Sequence, residues 1–217
     1  MGQRRCVAGS AVLSVAIAAT LLTAITAHTA PLGAADPDWP CQQRLVPHLM
    51  PAAYWNGPVD EQENWQADLE ITELVHRLAP RRVKTDEGLA VIMNFTKTAS
   101  EDRPRRLALA FRGLLEETDR ERAGLIEQLR QMGRRQRELA GLVARLGNEL
   151  AAIPPDATGK AAEKRVDLQQ RHDFTVRNFE EIQRTIRYAC DTPVELDARL
   201  GVWARALQQA VTAAAPG

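Results

Sequence analysis

The chain has 217 residues, 28 Lys and Arg against 28 Asp and Glu, and only 5% aromatic side chains. A neutral balance lacks the positive field that drives counterion release, so no nucleic-acid partner is expected. So few aromatic residues suit packed helices better than a sheet, and a chain of this length supports one domain with its own core.

Residues 1–35 read as a signal peptide. Met1-Gly2-Gln3-Arg4-Arg5 precedes an apolar run from Val7 to about Ala27, and the first acidic residue is Asp36, the order of a secretory signal. Leu32-Gly33-Ala34-Ala35 offers small residues for cleavage before Asp36, with Ala27 as a second candidate site. If the run stays uncleaved it is about long enough to anchor the chain, which is the one membrane attachment expected. Loss of Arg4 and Arg5 leaves 26 basic against 28 acidic groups, and loss of Cys6 leaves Cys41 and Cys190. In the periplasm or outside the cell an even pair reads as one disulfide. It would close a loop of about 150 residues, which the chain-entropy account values at up to about 4 to 5 kcal/mol.

Residues 36–59 hold Pro37, Pro40, Pro47, Pro51 and Pro58, too many for a long helix. Trp39, Leu45, Val46, Leu49, Met50, Tyr54 and Trp55 make the same stretch too apolar for a disordered linker. The expectation is an extended arm lying across helices and fastened by Cys41.

Residues 60–217 read as a single helical domain. Asp60 and Glu63 form a capping box for a first helix through Trp65, Leu69 and Leu78 to Pro80, and Thr85 caps a second that ends before Pro104. In the third, Phe111, Thr118, Leu125, Met132, Leu139, Leu146 and Ile153 recur every seven residues. A second series, Leu107, Leu114, Leu129, Gln136, Val143 and Leu150, slips near Glu121 and Arg122. Alternating three-four spacing sustained this long is the coiled-coil pattern. Gly113, Gly124, Gly133, Gly141 and Gly147 interrupt that helix; they either bend it or admit another backbone. Ile153 to Gly159 is a turn, and a fourth helix with Leu168, His172, Thr175, Phe179, Ile182 and Ile186 runs to about Ala189. Thr192 as N-cap, Pro193 in the first position and Glu195 restart the chain as a fifth helix carrying Leu196, Leu200, Trp203 and Leu207.

Folding helices three and four about a centre between Pro155 and Asp156 sets Gln136 opposite Thr175, His172 opposite Leu139, and the end of helix four opposite Arg122. The fold class is therefore all-α: a long antiparallel helical hairpin, a coiled-coil-like stalk over residues 123–190. It stands on a small helical base of residues 60–122 and 191–213, with a Pro/Trp-rich N-terminal arm tied by the disulfide.

Chemistry is sparse. No Gly-x-Ser-x-Gly, phosphate loop, zinc-binding His pair or Cys-x-x-Cys is present, so no catalytic residue, enzyme activity or cofactor is expected. His48 and Met50 are the metal candidates, imidazole and thioether at a spacing that suits copper, although Met50 serves equally as a gap filler. Arg130, Arg134, Arg135 and Arg137 form the densest basic patch and are the candidates for binding an acidic partner. Against that stands an ordinary solvated face in which Arg130 pairs with Glu180 and Glu181 of helix four. The function these features imply is an exported, non-enzymatic interaction or scaffold protein of the cell envelope. It would bind another envelope protein or itself through the hairpin. A small-ligand or metal sensor with Trp39, Tyr54, Trp55, Trp65 and Trp203 lining a pocket of the base is the alternative.

Asp38-Trp39-Pro40-Cys41, Trp55-x-Gly57-Pro58, Arg134-Arg135-Gln136 and Tyr188-Ala189-Cys190 together make the chain similar to an uncharacterised family of secreted or periplasmic helical proteins of proteobacteria. The resemblance covers nearly all of the chain after residue 35. It implies export and the disulfide, and brings no activity with it.

Overall fold

A computed structural model describes residues 36–60, 62–98 and 102–213, all within one compact unit, Asp36–Gly217. The expected signal peptide, residues 1–35, lies outside the described residues. Regular structure among the described residues is helical throughout: α1 Leu69–Leu78, α2 Thr85–Thr98, α3 Arg103–Ala151, α4 Lys160–Ala189 and α5 Asp191–Thr212, with single 3₁₀ turns at Pro51–Ala53 and Trp65–Ala67.

α1 starts later than the Asp60–Glu63 capping box predicts. Asp60 closes a turn by accepting the Gln62 N–H, and the cap is Asp68, whose carboxylate accepts the N–H groups of Glu70 and Ile71 at 3.1 and 3.2 Å. Glu63 instead pairs with Arg105 of α3. Tertiary contacts decide this start. Trp65 is 2% exposed, donates its indole N–H to Glu116 at 2.7 Å and packs in the core, which a continuous helix from Asp60 would not allow. Ile71, Leu74, Val75 and Leu78, spaced three and four apart, then bury one face of α1.

The base core gathers those residues with Ile92 and Phe95 of α2, Leu107, Phe111 and Leu114 of α3, and Leu200, Trp203 and Leu207 of α5. Leu49 and Trp55 of the arm complete it, the Trp55 ring stacking on Phe111 at 4.9 Å. Two glycines admit its largest side chains. A Cβ on Gly88 would overlap the Trp203 ring, and one on Gly113 would lie 2.7 Å from Val75 Cγ2. Trp203 is fully buried and donates its N–H to the Thr85 carbonyl at 2.9 Å. Arg199, 6% exposed, lies over the Trp203 ring and donates to the carbonyls of Ala79, Pro80, Arg81 and Val83 at 3.0–3.4 Å. It thereby satisfies the end of α1, where Pro80 stops the helix. Burial pushes the Arg199 pKa down.

α3 is the spine, 49 residues and roughly 74 Å long. Eight of its buried residues fall between Leu107 and Thr118, and beyond Gly133 only Leu139 and Leu146 are buried. The first part is enclosed by the base, and the second is the long arm of a hairpin, packed on α4 and held as far as Arg137 by the N-terminal arm. α4 returns with Leu168, Thr175 and Ile186 buried.

The hairpin register is displaced by at least one turn from the sequence expectation. Arg165 donates to the carbonyls of Leu150 and Ile153, His172 lies beside Gly147 instead of Leu139, and Arg122 reaches Pro193 of α5 instead of the end of α4. Side chains lean toward the N-terminus of their own helix, so contacts in an antiparallel pair meet away from the point set by counting backbone positions. The end of α4 accordingly packs on Leu129, in a second cluster with Ile186 and Cys190. Thr175 does not meet Gln136; its hydroxyl donates to the Arg171 carbonyl at 2.7 Å within its own helix.

α4 and α5 are separated by Cys190 alone. Pro193 lacks the N–H that would continue helical bonding to Ala189, so the helical hydrogen-bond ladder is interrupted there. The expected Thr192 cap is not formed: α5 begins at Asp191 with no side-chain cap. Cys41 and Cys190 are joined in a disulfide, tying the arm to the break between α4 and α5.

Candidate functional site

The arm binds α3 through the residues singled out for an external partner. Asp36 accepts from Arg130 Nε at 2.7 Å, Asp38 accepts from Arg134 at 2.9 Å and pairs with Arg137, and Arg137 also donates to the Pro37 carbonyl. These guanidinium groups hold both carboxyls below their usual range, through Arg130 for Asp36 and through Arg134 and Arg137 for Asp38. Sequence reasoning paired Arg130 with Glu180 and Glu181; the structure gives it Asp36 and, at 3.9 Å, Glu127 of its own helix. Of the four arginines only Arg135 avoids the arm, contacting Glu138 at 3.4 Å.

Gly133 explains why the arm fits there. A Cβ at this position would overlap the Asp38 carbonyl oxygen and lie 3.4 Å from Pro40 Cδ. The backbone of the arm therefore rests directly on α3, flanked by the arginines one turn before and one turn after the glycine. Trp39 and Cys41 pack on the cluster of Leu129, Ile186 and Cys190, and Gln43 donates to the Cys190 carbonyl at 2.6 Å.

A second junction centres on Arg122, 5% exposed. Its guanidinium donates to Pro193 O at 3.2 Å and Val46 O at 3.3 Å, joining α3, α5 and the arm. Asp119 beside it accepts the Leu49 N–H at 2.8 Å and contacts His48 Nδ1 at 3.1 Å, and Tyr54 donates to Asp197 at 2.5 Å. Burial first, then this bond, push the Tyr54 hydroxyl well above its ordinary range. In the sequence Arg122 stands only as part of a slip in the heptads. An arginine where an apolar residue is due was the available signal.

His48 and Met50, the metal candidates, do not converge. His48 is directed to Asp119 with its side chain 74% exposed, and Met50 is 65% exposed. His76 stands edge-on to Trp65, and His172 contacts Asp173. Among the described residues no three His, Cys, Asp or Glu side chains are grouped to hold a metal ion.

The tryptophans do not line a common pocket. Trp65 and Trp203 are sealed in the base core, and Trp39 belongs to the other cluster. Trp55 borders a groove of about 490 Å³, shared with Pro58, Arg105, Arg112 and Gln208. A second groove of about 520 Å³, beside Asp119, is lined by Leu49, Val59, Arg112, Glu116 and Arg120. Both are shallow surface features with mixed charge.

Along the hairpin, large apolar side chains remain in solvent: Val166 at 57% exposure, Phe174 at 59% and Tyr188 at 77%, all on α4. No helix among the described residues is long and apolar enough to cross a membrane. No family model, no curated protein and no solved structure matches the chain.

Proposed function

We propose that this is an exported, non-enzymatic interaction protein of the cell envelope. Its arm and base form a rigid mount, and the outer surface of α4 binds a protein partner or a second copy. The observation that carries this reading is the exposure of Val166, Phe174 and Tyr188 on a helix whose opposite side packs on α3. Exposed aromatic residues beside charged ones are the composition of a protein-binding face. Arg130, Arg134 and Arg137 of α3 are occupied by Asp36 and Asp38, which moves the expected contact from α3 to α4. Export is supported by the Cys41–Cys190 disulfide, a bond that persists in oxidising compartments.

The test is photocrosslinking in the native cell with a reactive residue at Phe174 or at Arg130. This reading expects adducts in the envelope fraction from position 174 and few from 130. Adducts from 130 alone, or from neither, would overturn it. The sensor alternative loses its main support, because Trp65 and Trp203 are sealed in the base core and Trp39 lies in a separate cluster.

A further inference from the structure

The outward side of α4 carries a second stripe. Glu163, Val166, Gln170, Phe174 and Arg177 follow at spacings of three, four, four and three, and all are exposed. Leu168, Thr175 and Ile186, on the other side of the helix, are the residues buried against α3. The ion pairs α4 makes within the chain are Arg171 with Asp167 and His172 with Asp173. Glu163 and Arg177 therefore have no ionic partner among the described residues.

We propose that this stripe pairs with the same stripe of a second copy, antiparallel, about a two-fold axis at Gln170. The inference rests on the proposed role of the stalk as an interaction surface and names its partner. Charge selects the arrangement. A parallel pair would set Glu163 on Glu163 and Arg177 on Arg177. An antiparallel pair centred on Phe174 would set Arg171 against Arg177 and Asp167 against Glu181. Centred on Gln170, Val166 meets Phe174 of the other copy, two Gln170 amides face each other on the axis, and Glu163 meets Arg177 at both ends with Lys160 toward Glu180 beyond them, which outweighs the like-charge match of Asp167 with Asp173. The self-complementary run, residues 163–177, is about 22 Å long. A contact of that length lies below the roughly 1,200 Å² of a permanent interface, so the association is reversible and depends on concentration.

Sedimentation velocity on the full chain over a concentration series tests this, with circular dichroism to verify that each variant keeps its helices. The wild-type chain is expected to show a monomer–dimer equilibrium, and Phe174→Asp to be monomeric. Glu163→Arg and Arg177→Glu should each weaken the dimer by roughly tenfold or more, and the double swap should restore it. In a Cys6→Ser background, two copies of Gln170→Cys should be joined by a short bis-maleimide, and the chain with Gln170 retained should not. A wild-type chain that stays monomeric, a Phe174→Asp variant as dimeric as wild type, or a double swap that restores nothing would overturn the proposal. If the wild-type chain is monomeric while photocrosslinking at 174 captures a different envelope protein, this inference fails and the proposed function stands.

Discussion

The two ends of α3 follow different packing rules within one helix. From Leu107 to Thr118 it is enclosed by α1, α2, α5 and the arm, and Leu107, Ala110 and Phe111 are fully buried on adjacent faces. Beyond Gly133 it meets α4 and, as far as Arg137, the arm, and its buried side chains fall to Leu139 and Leu146. Glycine usage follows the same divide. Gly88, Gly113 and Gly133 each hold a place where another side chain or backbone comes too close for a Cβ, whereas around Gly124 and Gly141 there is open space. The base spends its sequence on complementarity, and the stalk needs only a stripe. A surface free to bind something else therefore remains on the stalk.

The largest break in this comparison should come from Trp203→Ala, which empties the middle of the base. A loss of about 3–5 kcal/mol and cooperative unfolding of the whole domain are expected in thermal melts. Replacing both Cys41 and Cys190 by Ser should cost about 2–4 kcal/mol, and release of segment 36–43 should appear as faster hydrogen exchange there. Leu146→Ala on the stalk should cost about 2 kcal/mol at most, because the one-sided site can collapse. Its exchange signature should stay within residues 139–172, leaving the base protected.

Smaller effects sharpen the glycine contrast. Gly141→Ala, in open space, should stabilise by about 0.5–1 kcal/mol, since alanine is the better helix former. Gly133→Ala makes the same gain but displaces the Asp38 backbone, so the net change should be a loss of about 1 kcal/mol. Thermal midpoints moving in opposite directions would confirm the assignment, and parallel shifts would refute it. The smallest expected effect is with pH. Asp36 and Asp38 have lowered pKa values in the docked arm. Their contribution is complete above the ordinary carboxylate pKa near 4 and disappears as pH falls through the lowered values. The Trp39 indole N–H, bonded to the Gln43 carbonyl at 2.8 Å, should report this by NMR as a shift below about pH 4 that is absent in the Asp36→Asn/Asp38→Asn variant.

Much of this was legible in the sequence. Heptad spacing in α3, Pro104 in its first turn, the Pro154-Pro155 turn and the pairing of Cys41 with Cys190 all rest on local or countable features, and each has its counterpart in the structure. The errors share a cause. The start of α1, the cap of α5 and the hairpin register were read from local signals, and in each a longer-range contact prevailed: Trp65 on Glu116, Arg122 on Pro193, Arg165 on Leu150. The arginines of α3 stand out in the sequence as candidates for an acidic partner, and in the structure Arg130, Arg134 and Arg137 hold carboxylates nearly a hundred residues away in the same chain.

By itself, then, the sequence determined that the chain forms a long helical hairpin with a proline-rich arm and one disulfide, because helix periodicity and cysteine parity follow from residue spacing and number. Tertiary structure alone decided where the arm lies, which glycines are needed for close approach, and which side of the stalk stays open. Those outcomes depend on which surfaces meet, and that is set by the three-dimensional fit of Gly133 to Asp38 and of Gly88 to Trp203 more than by any local preference of the chain.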